Sequence, residues 1–285
     1  MEPPEPSEPP SPDLRSRFAA EARAERPDVA LLCLLIGTEA DSALDENGID
    51  AAQIELDRLA GMLPFGLDGP RAWGAALEDL LGTRLGFRGT PGEYGRLEAS
   101  LLHEVLRRRR GLPILLSVLW TEVARRAGAP VYGVALPGHF VVGIGPPDEP
   151  DEGVLVDPFT GGRILTRQDT ETLVRGATGA PLVPSMLTPA EPLHVVIRIL
   201  NNLRAWASTR PERGDVALWA LELSLLLPSH PARLRYERAQ LLVRRGDFLT
   251  GAAEMDEYAE VVAAVEPATA DAIRHKARAA RAMLN

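Results

Sequence analysis

The chain has 285 residues, room for about two domains at roughly 150 residues each. Hydrophobic residues make up 45% and charged residues 25%, ordinary globular values that exclude a wholly disordered chain. Thirty-one basic against forty acidic side chains leave a net charge of −9, which counts against a sequence-independent grip on nucleic-acid phosphates.

Cys33 is the single cysteine, so an internal disulfide framework and a cysteine-rich zinc site are both excluded. The longest apolar run, Val29 to Ile36, is eight residues, far short of the roughly 20 needed to cross a bilayer. No basic segment followed by an apolar one stands at the start, so no secretory leader is read. A soluble, cytoplasmic protein without membrane or nucleic-acid partners is the expectation.

The first twelve residues hold six prolines and three glutamates, which predicts an extended, solvated tail over 1–12. From Asp13 to about Arg126 the pattern is helical. Leu14, Phe18 and Ala22, then Leu31, Leu34 and Leu35, recur at three- and four-residue steps. Ile54 to Leu63 predicts another helix stopped at Pro64, and Trp73 to Leu81 a third ending at a left-handed cap on Gly82. Leu101 to Arg110 reads as a helix, and Pro113, with its fixed φ and missing donor, opens the next, which Gly128 closes. Val131–Leu136 and His139–Ile144 flank Pro137-Gly138 and predict a hairpin; Val154–Phe159 predicts a third strand. Helices followed by clustered strands imply an α+β domain over 13–180.

Four prolines mark 181–192 as a linker, and 193–285 reads as helix throughout. Arg213-Gly214-Asp215 returns as Arg245-Gly246-Asp247 after 32 residues, each between apolar helical stretches. Helix pairs repeating near 34 residues mark tetratricopeptide arrays. The triplets are read as turn chemistry.

Three segments carry the candidate chemistry: Gly111-Leu112-Pro113 opening a helix, Gly138-His139-Phe140 on a strand, and Asp157-Pro158-Phe159 on the next. A nucleophile at a helix start, beside a histidine oriented by an aspartate, is an acyl-transfer triad. The order resembles the transglutaminase-like branch of the papain-type fold. The chain is similar to the bacterial SirB-type transglutaminase-like proteins with a tetratricopeptide tail. The likeness rests on Gly86-Phe87-Arg88-Gly89, Glu104-Val105-Leu106, Arg108 to Pro113, Leu116 to Leu119, Pro137 to Phe140 and Asp157 to Gly162. Ala99 and His103 depart from it, standing where relatives tend to show asparagine.

The resemblance places the cysteine position of active transglutaminases, counted back from Gly128, on Pro113, which has no nucleophilic atom. It implies a papain/transglutaminase-like core kept without its thiol chemistry, followed by an all-α repeat domain. Two functions follow. One is a non-catalytic adaptor that binds a protein or peptide through the repeats. The alternative is a hydrolase or acyl-transferase using His139 and Asp157 with another nucleophile, such as Ser117 or a water. Cys33 reads as core filling, and Ser117 as bonded to the carbonyl of its preceding helical turn. His103 with Glu104 falls short of a metal site, His194, His230 and His275 lack ligand spacing, and no cofactor is expected. Arg107 to Arg110 reads as a helix-end run. Oligomeric state is not legible.

Overall fold

The computed structural model describes residues 12–149 and 152–284, so all of the expected tail but Pro12 lies outside the described residues. The described residues form two compact units, 25–199 together with 12–14, and 200–284 together with 15–24. The N-terminal helix α1 (Pro12–Glu21) therefore belongs mostly to the second unit, where Arg15 pairs with Glu222 at 2.9 Å.

The first unit begins with α2 (Val29–Ala40) and α3 (Glu46–Ala60). Asp28 and Asp45 cap them by accepting the amides of Leu31 and Gly48, each at 2.9 Å, which satisfies donors that a helix start leaves free. Helix α4 (Gly69–Leu77) does not end at a left-handed Gly82. It runs on as a π-helix, Glu78–Arg84, that contains Gly82. Gly82 is needed for space rather than for φ, since a Cβ there would lie 1.8 Å from the Gly161 carbonyl oxygen. Helix α5 (Leu102–Arg108) ends on Arg109, whose φ of 57° is left-handed, and α6 (Pro113–Arg126) follows, with Gly128 at φ 89° closing it.

Strands β1 (Val131–Val134), β2 (Val141–Ile144), β3 (Val154–Asp157) and β4 (Arg163–Leu165) form one antiparallel sheet in sequence order. The register pairs Val134 with Val141, Val142 with Val156 and Val156 with Ile164. Side chains alternate between two covered faces. Val156 and Ile164 face Gly74 of α4, while Val134, Val141 and Leu165 pack with Val174 of α7 (Arg167–Thr178). Leu182, Met186 and Leu187 pack against the same cluster, and Ala190 donates to the Gly133 carbonyl at 2.8 Å. The proline-rich stretch expected to be a linker thus lies on the sheet. The division between units falls after it, inside α8 (Pro192–Ser208).

The second unit continues with α9 (Gly214–Leu226), α10 (Arg233–Arg244), α11 (Phe248–Ala263) and α12 (Pro267–Ala282). Its core is narrow: Ala239, Ala252, Ala259, Ala270, Ala277 and Ala280 surround Met255 and Ile273. Small side chains let neighbouring helices approach closely, and a Cβ on Gly251 would meet the Ala239 carbonyl at 2.7 Å. The two Arg-Gly-Asp triplets both precede helices but differ in backbone. Gly246 is left-handed at φ 91° and Asp247 caps α11, whereas Gly214 opens α9 in right-handed conformation. Among the described residues, no helix is long and apolar enough to cross a membrane.

Candidate functional site

Asp157 is the last residue of β3, and Pro158 ends the strand by turning the chain into a short 3-10 segment. Its Oδ1 accepts from the Phe159 amide at 3.0 Å and its Oδ2 from Thr160 Oγ1 at 3.2 Å, so the carboxylate is held by its own turn. Gly161 and Gly162, at φ 89° and 96°, complete that turn, and a Cβ on Gly162 would lie 2.2 Å from the Trp120 ring. His139 stands not on a strand but two residues before β2. There its amide closes the Pro137-Gly138 turn on the Leu136 carbonyl. This hairpin brings His139 Nε2 to 3.0 Å from Asp157 Oδ1. A carboxylate only accepts, so Nε2 is the donor in this hydrogen bond. The imidazole is 12% exposed and the carboxylate 4%.

Sequence reasoning missed two side chains around this pair, Arg198 and Tyr94, and named Phe159 only as part of the aspartate's segment. Arg198 on α8 donates through Nη2 to the carbonyls of Leu136 at 3.1 Å and His139 at 2.8 Å, and its guanidinium lies 5.6 Å from the Phe140 ring centre. It holds the turn that presents the imidazole, and burial pulls its pKa below the ordinary guanidinium value. Phe159 stands edge-on to His139, with ring centres 6.0 Å apart, and edge-on to Tyr94 at 6.1 Å. Burial first, then the Asp157 charge, pushes the Tyr94 phenol up. Arg198 lies 59 residues from His139, with no local motif to announce it.

Helix α6 packs against β1, β2 and the Pro158–Thr160 turn. Pro113 occupies its first position and is buried. One turn on, Ser117 is fully buried, and its Oγ donates not to the preceding turn of its own helix but to the Phe140 carbonyl at 3.1 Å, so its proton is directed to backbone. Cys33 is buried within α2, where burial first and Asp28 second raise its pKa and keep it a thiol. The arginine run is largely absorbed by structure. Arg107 binds Glu104, Arg108 reaches the buried Glu93 at 3.4 Å, and Arg109 and Arg110 bind the carbonyls of Leu85 and Gly86. Those carbonyls belong to the preceding segment, while Arg110 also donates to the Arg109 carbonyl at 2.8 Å, at the run's own helix end.

The second unit carries a recess of about 230 Å³ lined by Leu225, His230, Arg235, Arg238, Glu254 and Tyr258, among others. Arg238 bridges Glu222 and Glu254 across it. Burial pushes the Glu254 carboxyl up, with Glu257 and Glu222 adding to the shift against the opposing Arg238 charge. In the first unit the fold places Asp41 beside the His103–Glu104 pair, a third potential metal donor that sequence spacing did not show. Burial lowers the His103 pKa, with opposing contributions from Glu104 and Asp41.

The profile of the transglutaminase-like superfamily matches residues 50–201, more than half of the chain. The chain belongs to this superfamily. A tetratricopeptide-repeat profile matches the transglutaminase-like protein again over residues 203–285. A UPF0162 protein of Xylella fastidiosa (strain 9a5c) is 36% identical over 167 residues, covering 56% of this chain and 58% of that protein. A UPF0162 protein of Vibrio cholerae is 28% identical over 198 residues, covering 67% and 71%. The human F-box only protein 21 is 26% identical over 165 residues, which are 56% of this chain and 26% of that protein. The transglutaminase-like chain thus spans somewhat more than half the length of the Xylella relative. The resemblance to SirB-type proteins, the α+β core and the repeat tail all stand.

Proposed function

We propose that this transglutaminase-like protein is a non-catalytic adaptor, in which the first unit keeps the triad's acid–base pair without a nucleophile and the helical repeats take up a protein or peptide segment. The observation that carries the reading is Pro113. It opens α6, the helix packed on the hairpin and turn that hold His139 and Asp157, and a saturated ring offers no attacking atom. Ser117, one turn further, supports the same reading because its hydroxyl proton is directed to the Phe140 carbonyl. The recess on the second unit, lined by arginine, glutamate and tyrosine side chains together with Leu225 and Val261, suits a peptide of mixed polarity. A cytoplasmic setting belongs to the proposal and agrees with a lone, unpaired cysteine.

A second reading is favoured by one observation. The His139–Asp157 hydrogen bond is intact at 3.0 Å, the arrangement a histidine base needs in a hydrolase or acyl-transferase that activates water. Two experiments on the full chain separate the readings. Serine- and cysteine-directed acylating probes and a panel of activated esters and amides are offered to wild type and His139→Ala. The adaptor shows no histidine-dependent labelling or turnover; either one would overturn it. Co-purification with Tyr258→Ala and Arg235→Glu then tests the repeats, where equal recovery of the partner by wild type and both variants removes the recess from the proposal.

A further inference from the structure

A second cluster of polar side chains lies outside the His139 site. His103 and Glu104 on α5 meet Asp41, the residue that follows α2, where these two helices pack together. One imidazole nitrogen and one carboxylate oxygen from each acid lie within 4.8 Å of one another. The histidine is the unusual member. Its side chain is only 11% exposed, and both ring nitrogens are shielded from solvent without a hydrogen-bond partner. Asp41 Oδ2 is 3.6 Å from Nε2, too long for a hydrogen bond. The other edge of the ring is seated on α2, where a Cβ on Gly37 would lie 2.5 Å from Nδ1. Only glycine leaves room for the imidazole, and the seat aims Nε2 at the carboxylates.

A buried imidazole with no partner costs stability unless something accepts its lone pair. Two carboxylates beside it supply two negative charges, which matches a divalent cation. One nitrogen donor among oxygens favours a first-row transition ion over Mg2+ or Ca2+, which take oxygen alone. The donors of a tetrahedral zinc stand roughly 3.4 Å apart at bonds of about 2.1 Å. The present spread therefore closes with about an ångström of movement by the two acids. Asp41 is 42% exposed and accepts the Ala43 amide through Oδ1 rather than Oδ2, and the Glu104 carboxylate is held by Arg107, whose own side chain is 71% exposed.

We propose that Asp41, His103 and Glu104 form a binding site for one divalent transition-metal ion of the Zn2+ type, completed by water. The ion ties the end of α2 to α5, elements separated in sequence by α3, α4 and the π-helix, and so stabilises the first unit. The site is independent of the adaptor reading.

The test uses the untagged full chain, stripped with chelator and titrated with Zn2+ by calorimetry, and with Co2+ by visible absorption. The expected result is one ion per chain, Co2+ bands of low coordination number, and a Tm that rises with Zn2+. Asp41→Asn and His103→Asn each weaken binding by roughly tenfold or more and remove the Tm rise. Metal-free circular dichroism checks that each variant is folded. Should His103→Asn fail to fold, Asp41→Asn decides, since asparagine keeps the oxygen that accepts the Ala43 amide at 3.0 Å. Wild type without saturable Zn2+ binding would sink the proposal. So would an affinity unchanged in Asp41→Asn, which would place the ion on other histidines.

Discussion

The two units solve the burial of apolar surface in opposite ways. In the first, α6 touches α2, α3, α5, β1, β2 and the turn after Asp157, so one helix organises elements scattered along the chain. In the second, α10, α11 and α12 pack mainly on their sequence neighbours, through alanines that let helices come close. The first arrangement positions side chains for a site. The second is serial, and repeats of this kind are stabilised by nearest-neighbour interfaces. A defect should therefore spread through the first unit and stay local in the second.

The largest effect is expected at Trp120, fully buried on α6 and seated against Gly162. Trp120→Ala should cost about 3–5 kcal/mol. Amide shifts measured by NMR should change as far as β3 and the His139 turn; shifts confined to α6 would contradict the scaffold role of that helix. Met255 is the counterpart in the second unit, 4% exposed at the centre of the alanine core. Met255→Ala should cost about 2–3 kcal/mol. Hydrogen exchange should accelerate in α10 to α12 and leave the sheet unchanged, and equal acceleration in both units would break the contrast.

A smaller effect sharpens it by pH. Glu122 on α6 is buried, which raises its pKa, but hydrogen bonds from Arg125 and Arg126 more than offset this and hold it below the ordinary value of 4.5. Arg126 also reaches the Gln53 carbonyl and Asp57 on α3, so the acid ties two distant elements together. A depressed folded-state pKa gives stability that is present above the unfolded value and lost as pH falls through the folded one. Glu122→Gln should cost about 1–2 kcal/mol at neutral pH. Its urea midpoint should then fall less steeply than that of wild type from about pH 5 downward. Parallel slopes would remove the carboxylate from the acid limb. The smallest change is at the Thr166–Asp169 capping box that opens α7, where Thr166→Ala should lower stability by about 1 kcal/mol in thermal unfolding.

Legibility in the sequence followed the same divide between local and distant causes. Pro113 and Gly128 bracketed α6, and Pro137-Gly138 marked the hairpin, because each acts through its own backbone. Strand β4 has three residues, too few for a periodic trace, whereas α7 went unread although its Thr166–Asp169 cap and its amphipathic pattern both stand in the sequence. The π-helix escapes a search at 3.6 residues per turn, which is why Gly82 was read as a cap. His139 and Asp157 were visible as parts of ordered motifs. Arg198, Tyr94 and Asp41 were not, since each joins its partners only through the tertiary fold.

The lone thiol, sealed in α2 beneath the surface of the first unit, gives the molecule a native clock. A thiol reagent can reach Cys33 only when that helix opens, so the labelling rate in buffer counts opening events directly. Added Zn2+ should slow that rate if the ion fastens α2 to α5.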